Sequence, residues 1–383
     1  MTSELFELVC PCHFGLEAVL KREIYDLGYD CTQVSDGRVH FTGDAEAIAR
    51  ANIFLRSAER VLLLAGRFPA TTYEEYFQGI LSLPLERYLP ADAKFWIAKA
   101  SSIRSRLFSP SDLQSVGKKA MVERLRSALH KDLFPETGAS YPFRVFLHKD
   151  EVFFTLDTTG PSLHKRGYRP AAGDAPLSET LAAALLMLTP FRDGRILVDP
   201  FCGSGTFPIE AAMIARNMAP GRDRSFTAEA WENLIPRALW REVREEAADL
   251  ILPSCASDIQ GYDIDAGVLK TARENAQRAG VSENIHFQER DVVRLSHPKK
   301  YGLIVTNPPY GERLSEKEAL PGLYHVLGER FLALSDWSLF VITNQTDTEK
   351  WIGRRADKNR KIYNGMIETK FYQFFGKKPP KKQ

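Results

Sequence analysis

The most chemically suggestive segment of this 383-residue chain consists of Asn307, Pro308, Pro309 and Tyr310. It follows an apolar, strand-like run at residues 301–306. Two consecutive prolines hold the backbone extended, because each fixes its own φ and excludes the helical region for the residue before it. The Asn307 amide oxygen and the Pro308 carbonyl can then accept both hydrogens of one planar amino group, while Tyr310 offers a ring for a base to stack on.

A second candidate is a strand followed by a glycine-containing turn, at residues 196–207 (ILVDPFCGSGTF). The strand carries Asp199 to its carboxyl end, where open α/β sheets bind ligands. Gly203 and Gly205 allow a sharp turn and a close approach to a ligand. A dinucleotide is disfavoured, because a proline replaces the third glycine of its fingerprint and the next acidic strand end, Asp263, lies 58 residues beyond Gly205 rather than about 20.

Further acidic residues follow predicted strands and form a row at the same sheet edge. Asp263 ends the second strand, where a carboxylate can accept hydrogen bonds from a ribose diol. Asp291 ends the next strand and can accept one from an exocyclic amine such as that of adenine. The carboxylates of Asp199, Asp263 and Asp291 would repel phosphates, so this row of acidic residues favours a nucleoside without phosphate as the ligand. Asp265 either joins this row or caps the following helix, and capping is the preferred interpretation.

The elements that position these residues alternate regularly in the second half of the chain. Helical patterns separate strand-like runs at 196–200, 259–263, 285–289, 301–306 and 337–343. This alternation is typical of an open, mostly parallel, Rossmann-like α/β sheet. Two further strand-like runs within 360–375 predict an antiparallel hairpin at its edge.

The first half mixes helices with antiparallel strand pairs. Its opening follows the β-α-β-β-α-β order of a ferredoxin-like motif, with Asp36-Gly37 as a hairpin turn. A second α+β unit follows, then a stretch rich in glycine and proline. The expected segments are a ferredoxin-like domain at 1–66, a second α+β domain at 67–160, a linker at 161–175, the α/β domain at 176–376 and a disordered basic tail at 377–383.

Composition excludes several classes of protein. The chain is 44% hydrophobic and 26% charged, unlike disordered or fibrous proteins. Its five cysteines favour a reduced, cytoplasmic protein without a disulfide framework. Cys10, Cys12 and His13 lack the second pair of ligands usual in zinc sites, so no metal is expected. The apolar run Leu181 to Leu188 is too short to span a bilayer, so no membrane partner is expected.

The net charge of +2 hides an uneven distribution. Residues 1–93 hold 8 basic and 14 acidic side chains, 94–175 hold 14 and 8, and 176–383 hold 29 and 27. The basic middle segment predicts contact with nucleic-acid phosphates. The candidate RNA-binding residues are Lys118, Lys119, Arg124, Arg126, Lys165, Arg166 and Arg169.

The motifs DPFCGSGT, GYDID, RDV and NPPY, in this order, resemble those of class I S-adenosylmethionine-dependent methyltransferases that modify exocyclic or amide nitrogens. The two N-terminal units resemble a ferredoxin-like domain and a THUMP RNA-binding domain. Together they resemble the bacterial 23S rRNA guanine-N2 methyltransferase (RlmL-like) family over nearly the whole chain. Some members carry a second methyltransferase domain, for which this chain is too short, so the resemblance implies the guanine-N2 activity alone.

The resemblance also implies roles for individual residues. S-adenosylmethionine, which leaves as S-adenosylhomocysteine, would meet Asp263 at its ribose and Asp291 at its adenine amine, and the helix start near Ser178 would receive its carboxylate. Residues 307–310 would hold the target base. The implied cofactor-binding residues are Asp199, Pro200, Cys202, Gly203, Ser204, Gly205, Thr206, Asp263, Ile264, Asp265, Asp291, Val292, Asn307, Pro176, Ser178 and Thr180.

The implied reaction is methyl transfer to the N2 amine of a guanine in 23S rRNA, after the base has left its stack. Tyr310, with an aromatic residue from 217–257 such as Trp231, would hold the flipped base. Transfer RNA is the main alternative substrate, and the same NPPY chemistry serves adenine-N6 and protein glutamine methylation. A non-catalytic RNA-binding protein is the least favoured alternative. Residues 164–169 are either RNA contacts or a solvated linker, and the oligomeric state stays open.

Overall fold

In the computed structural model, which describes residues 4–169, 177–311 and 314–378, the chain divides into two compact units. Unit 1 comprises the residues up to Pro11, Glu23–Leu163 and Arg224–Glu246. Unit 2 comprises Cys12–Arg22, His164–Asp223 and the residues from Ala247 onward. Each unit is therefore discontinuous along the chain, an arrangement that no local pattern in the sequence indicates.

Unit 1 is built on one seven-stranded sheet. Its strands are β1 (Phe6–Pro11), β2 (Cys31–Ser35), β3 (Arg38–Gly43), β4 (Leu62–Pro69), β5 (Lys94–Ile103), β6 (Ser140–His148) and β7 (Glu151–Asp157). The strand order is β2-β3-β1-β4-β7-β6-β5, and β5 and β6 form the parallel pair in an otherwise antiparallel sheet. Because β4 pairs with β7, the sheet crosses the predicted domain boundary after residue 66 without interruption.

The helices of the N-terminal half are α1 (Glu17–Asp26), α2 (Ala45–Phe54), α3 (Tyr73–Leu81) and α4 (Pro110–Leu129). The side chains of Asp44, Thr72 and Ser109 accept backbone hydrogen bonds at the starts of α2, α3 and α4, which satisfies amides that have no partner within the helix. Helix α2 packs on β3, α3 on β4 and α4 on β5. The ferredoxin-like order of β1, α1, β2, β3, α2 and β4 confirms the prediction for this region.

Unit 2 contains the predicted α/β sheet. Its strands are β8 (Ile196–Asp199), β9 (Asp258–Asp263), β10 (Ile285–Glu289), β11 (Leu303–Thr306), β12 (Ser338–Thr343), β13 (Lys358–Asn364) and β14 (Ile367–Phe374). The order is β10-β9-β8-β11-β12-β14-β13, parallel except for β14, which runs antiparallel to both neighbours. The fold class and the edge hairpin are as predicted. The strand order reverses between β8 and β11, which is where such sheets bind ligands.

The helices of the C-terminal half are α5 (Glu179–Met187), α6 (Thr206–Ala215), α7 (Arg237–Asp249), α8 (Ala266–Arg278), α9 (Leu314–Ala333) and α10 (Thr348–Ile352). Helix α7 begins within unit 1. Leu16 and Val19 belong to the apolar core of unit 2, together with residues of α5, α6 and α8. None of the helices in the described part of the chain is both long enough and apolar enough to cross a membrane.

A buried charged cluster fixes the segment before α5. The Arg166 side chain is 2% exposed, and its Nε lies 3.4 Å from Oε1 of Glu210, which is fully buried. The Tyr168 hydroxyl donates to the same carboxylate at 3.2 Å, and Arg169 Nε lies 2.9 Å from Oε1 of Glu179. Arg166 is thus enclosed by protein, which corrects its prediction as an RNA contact and the alternative of a solvated linker at 164–169. Residues 170–176 and 379–383, including Pro176, lie outside the described residues.

We expect Arg166→Met to lower the free energy of unfolding by roughly 3–5 kcal/mol, because the substitution leaves the Glu210 carboxylate buried without its cation. The double variant Arg166→Met with Glu210→Leu should recover most of that loss, since no buried charge then lacks a partner. Urea unfolding measures both. As a control, Arg126→Met removes a half-exposed pair with Glu123 and should cost less than about 1 kcal/mol. A double variant as unstable as the single one would contradict this account.

Candidate active site

Asp199 and Thr306 end the two strands between which the sheet order reverses. The Thr306 hydroxyl donates to Asp199 Oδ1 at 2.6 Å, and the Phe201 amide donates to the same oxygen at 3.1 Å. Burial raises the pKa of Asp199 to about 7, an effect that these two hydrogen bonds oppose and the nearby Asp263 charge slightly increases. Asp199, which precedes the glycine turn, is therefore hydrogen-bonded to Thr306, which precedes Asn307.

The glycine turn follows a left-handed backbone path. Gly203 and Gly205 have φ values of 51° and 87°, in the left-handed region that glycine tolerates best. A Cβ on Gly205 would lie 3.1 Å from the Phe287 ring and 3.2 Å from Ala272, whereas one on Gly203 would meet nothing within 4 Å. Space and backbone conformation therefore both favour glycine at 205, and backbone conformation alone favours it at 203.

The carboxylate of Asp263 holds the glycine turn against β9. Its Oδ2 accepts from the Gly203 amide at 2.9 Å and its Oδ1 from the Asp265 amide at 3.0 Å. Asp265 in turn caps α8, accepting from the Gly267 amide at 2.7 Å, so the preferred interpretation of Asp265 is confirmed. Ile264, between the two aspartates, is 71% exposed.

Asp291 borders two adjacent cavities. One, of about 420 Å³, lies between Asp291, Val292, Pro309 and the Leu320 side of α9. The other, of about 400 Å³, is also lined by Ile264 and Glu289. The Asp291 carboxylate accepts from the Val293 amide at 2.9 Å and is itself exposed at the rim. The first cavity has mostly apolar walls that suit a nucleoside ring, and the second, also lined by Arg290 and Arg294, offers acidic and basic groups to polar atoms.

The Asn307 side chain carries a buried acceptor that is unusual in a folded protein. Its Oδ1 is shielded from solvent and has no hydrogen-bond partner among the described residues. The neighbouring backbone is fixed, because Gln345 Nε2 donates to the Tyr310 carbonyl at 2.9 Å. Burial also raises the pKa of the Tyr310 hydroxyl to about 12. An unpaired buried acceptor costs roughly 1–3 kcal/mol, so the site fits a ligand that supplies a donor.

Two residues near the start of α5 were missed from the sequence. His13 Nε2 lies 3.1 Å from Ser178 Oγ, and its Nδ1 lies 3.1 Å from the Tyr363 carbonyl oxygen. Phe14, 46% exposed, packs edge-on against the Tyr363 ring, with centroids 6.4 Å apart. Ser178 caps α5, and Thr180 is buried in its first turn. His13 was considered only as a metal ligand, because its sequence neighbours are cysteines and its partners lie more than 160 residues away.

Three of the four predicted RNA contacts on α4 pair with carboxylates, and the fourth, Lys119, is exposed. Lys118 lies 3.6 Å from the centre of the Phe95 ring and also pairs with Glu136. Arg124 Nε donates to Glu86 at 2.8 Å, and Arg126 pairs with Glu123. Lys119 lies 5.9 Å from the Phe77 ring. Lys165 is exposed.

Trp231 does not provide a platform for a flipped base. It is fully buried within unit 1, where it stacks on Tyr141 at 4.9 Å and donates to the Ser140 carbonyl. The prediction for Trp231 is therefore wrong, because the 224–246 part of the insertion folds with unit 1.

Comparisons with known proteins agree with the geometry. Residues 166–373 match the family described as RMKL-like, methyltransferase domain, and residues 7–62 match the RlmL ferredoxin-like domain. The chain belongs to the RMKL-like methyltransferase family. A Bacillus subtilis protein named "Putative RNA methyltransferase YpsC" is 42% identical to it over 380 residues, which cover 99% of this chain and 98% of that protein.

Two solved structures resemble this RMKL-like methyltransferase closely. SMU.472, described as a putative methyltransferase complexed with SAH, is 42% identical with a TM-score of 0.93, covering 99% of this chain and 100% of its own. A Listeria monocytogenes protein described as a predicted N6-adenine-specific DNA methylase is 43% identical with a TM-score of 0.91, covering 97% of each chain. The glycine turn, the carboxylates and the unpaired Asn307 acceptor fit S-adenosylmethionine and an amine substrate, and the predicted cofactor is confirmed for the family.

The raised pKa of Asp199 makes the stability of this RMKL-like methyltransferase depend on pH. The folded protein keeps this proton up to about pH 7, whereas the unfolded chain loses it near pH 4. The stabilising contribution is complete below about pH 4 and is lost as the pH rises through about 7. The contribution of this proton to the free energy of unfolding is at most on the order of 4 kcal/mol. We expect Asp199→Asn to gain thermal stability relative to the parent at pH 8 and not at pH 5, as measured by melting temperature. A difference independent of pH would contradict the assigned pKa.

Proposed function

We propose that this RMKL-like methyltransferase transfers the methyl group of S-adenosylmethionine to the N2 amine of a guanine in 23S rRNA, in the cytoplasm. The observation that carries the proposal is the buried, unpaired Oδ1 of Asn307 beside the rigid backbone of Pro308. An exocyclic amine has two donors, one for the unpaired Asn307 Oδ1 and one for the Pro308 carbonyl. Tyr310 then provides the ring for the flipped base.

The proposed cofactor contacts follow from the strand ends. Asp263 accepts hydrogen bonds from the ribose, Asp291 receives the adenine amine, and Ser178 and Thr180 at the start of α5 receive the carboxylate. The cofactor supplies a methyl group bound to a positively charged sulfur. The protein need not supply a strong base, because its main tasks are to orient the amine and to exclude water.

Stabilisation specific to the transition state would come from Asn307 and Pro308. Positive charge develops on the amine nitrogen as it bonds to the methyl group, so its hydrogen bonds to the Asn307 amide oxygen and the Pro308 carbonyl become stronger. The excess proton leaves the nitrogen afterwards. This division of roles separates the base-holding residues from those that bind the cofactor.

The relatives support RNA as the substrate class, and one of them points to adenine in place of guanine as the target base. The name of the Bacillus subtilis relative supports RNA, whereas the description of the Listeria monocytogenes structure favours adenine-N6 methylation of DNA as a second candidate. Guanine and 23S rRNA are supported by the motif resemblance, with transfer RNA as the alternative.

Mapping of modified nucleosides by mass spectrometry tests the substrate. We expect rRNA from cells lacking the protein to lose one N2-methylguanosine of 23S rRNA, restored by the parent chain and not by Asn307→Ala. Loss of the modification from tRNA would assign the alternative RNA, and loss of N6-methyladenine from DNA would assign the second candidate. An unchanged set of modified bases in rRNA, tRNA and DNA would contradict the proposed reaction.

We expect Asn307→Ala to lower the rate of methyl transfer at least 100-fold, because a hydrogen bond aimed at developing charge contributes roughly 3 kcal/mol or more. S-adenosylmethionine affinity, measured by calorimetry, should change less than about threefold. Asp263→Ala is the matched control with the opposite signature, since it should weaken cofactor binding directly. Normal turnover in Asn307→Ala would remove this residue from the reaction.

A further inference from the structure

One face of the unit 1 sheet carries a continuous set of basic and aromatic side chains. On the other face, Ile97 and Phe143 pair across β5 and β6 and are buried, with Gly117 of α4 closely approaching Ile97. Arg144 directly follows Phe143 and so points away from α4, because successive residues of a strand alternate between faces, and a register shift between Ile97 and Lys99 brings Lys99 opposite Arg144. We call the face that contains Lys99 and Arg144 the open face.

The centre of the open face is aromatic. Phe146 and Phe153 are directly opposite each other on β6 and β7, with ring centroids 6.1 Å apart, and both are partly exposed. The Arg38 guanidinium lies 3.4 Å from the centroid of Phe146, and that of Arg67 lies 5.9 Å from the centroid of Phe153. Because β1, β4 and β7 lie between β3 and β6, the contact of Arg38 with Phe146 requires the sheet to curve, so the cationic and aromatic groups line a concave surface.

A pocket of about 130 Å³ lies within this concave surface. It is lined by residues of β3, β1, β4, β7, β6 and β5, among them Arg38, Lys99, Ser101, Arg144, Phe146 and Phe153. These six strands are neighbours in the sheet, so its curvature brings groups from all of them to one place. The pocket is smaller than the roughly 300–1,000 Å³ of sites that enclose a whole small molecule, and it suits one base or phosphate group of a longer chain.

The charges on this face favour an anion. Five basic groups (Arg38, Arg60, Arg67, Lys99 and Arg144) stand beside three acidic ones (Glu7, Glu151 and Asp157). Arg60 and Arg144 share one carboxylate, that of Asp157, at 2.7 and 2.6 Å. Lys99 is exposed, and Arg67 is 43% exposed in its 3.3 Å pair with Glu151. Basic groups therefore outnumber acidic ones on the open face, and Lys99 and Arg67 are accessible to solvent.

From this combination we infer that the open face binds a single-stranded segment of the RNA substrate. Bases stack on Phe146, Phe153 and the Arg38 guanidinium, and phosphates meet Lys99 and Arg67. A duplex fits poorly, because its bases are already stacked on one another and its edges are displayed in grooves that a sheet face does not enter. The inference rests on RNA being the substrate class, and it moves the contact surface from α4, where Arg124, Arg126 and Lys118 pair with Glu86, Glu123 and Glu136.

The test is binding of the full chain to a fluorescent 20-nucleotide mixed-sequence single-stranded RNA, measured by anisotropy. We expect Arg38→Gln with Lys99→Gln to weaken binding roughly tenfold and to reduce the salt dependence, because each lost phosphate contact lowers its slope by about one. Phe146→Leu should weaken binding roughly fivefold or more by removing the stacking ring, with little change in net hydrophobicity. A hairpin duplex of the same length should bind more weakly than the single strand.

Lys119→Gln on α4 is the matched control, since it removes the same charge from the competing surface and should leave the affinity within about twofold. Cofactor affinity and the urea unfolding curve of every variant, measured separately, show that both units are folded. Weakening by Lys119→Gln with no effect of the open-face variants would overturn the inference in favour of α4. Equal affinity for the duplex would also overturn it.

Failure of this inference can be distinguished from failure of the proposed reaction. Binding is measured without methyl transfer, so open-face variants that bind normally while Asn307→Ala still abolishes guanine methylation would refute the binding surface alone. Loss of binding in the open-face variants of a protein that methylates no guanine would refute the proposed reaction alone.

Discussion

The hydrogen bond from Thr306 to Asp199 holds together the two strands on which the whole site depends. It joins the ends of β8 and β11, where the sheet order reverses, although the two residues are 107 positions apart. The glycine turn begins directly after Asp199 and the proline loop directly after Thr306. Because the bond is short and buried, the two loops share one rigid origin, and a displacement of one strand would move both the cofactor-facing and the base-facing groups.

Two features at the carboxyl ends of these strands destabilise the folded protein. Placing Asp199 away from solvent raises its pKa to about 7, and Asn307 keeps a buried acceptor without a partner. Folded chains avoid both features where only stability matters. Their occurrence side by side, at the carboxyl edge of a parallel sheet, indicates that the sequence trades stability for a prearranged polar site.

Local patterns were sufficient for most elements and insufficient for their long-range partners. Strand alternation, helical spacing and capping residues such as Asp44 and Asp265 act within a few positions, so the sequence located the sheet, its edge hairpin and the α8 cap. The exchange of residues 12–22 and 224–246 between the units depends on which cores they complete. That information lies in packing, which explains why Trp231 was misplaced and His13 was interpreted only as a metal ligand.

Charge counting was limited for a related reason. The excess of basic residues in the middle segment is real, yet Arg166 is buried against Glu210, and Lys118, Arg124 and Arg126 of α4 pair with carboxylates. A count records how many charges a segment has and not which of them reach solvent. The side chains that combine exposure, charge and aromatic neighbours come from β3, β4, β5 and β6, spread over more than 100 residues of sequence.

The segment containing Leu16 and Val19 also determines the order in which the protein can be completed during translation. The ribosome makes these two residues before any part of α5, α6 or α8, whose side chains surround them in the finished core. Leu16 and Val19 therefore stay uncovered until α5, α6 and α8 are synthesised, and unit 1 also stays incomplete until residues 224–246 have been made. A chain cut between residues 163 and 164 would leave each half without a part that it needs, so the two units are inseparable by any single cleavage.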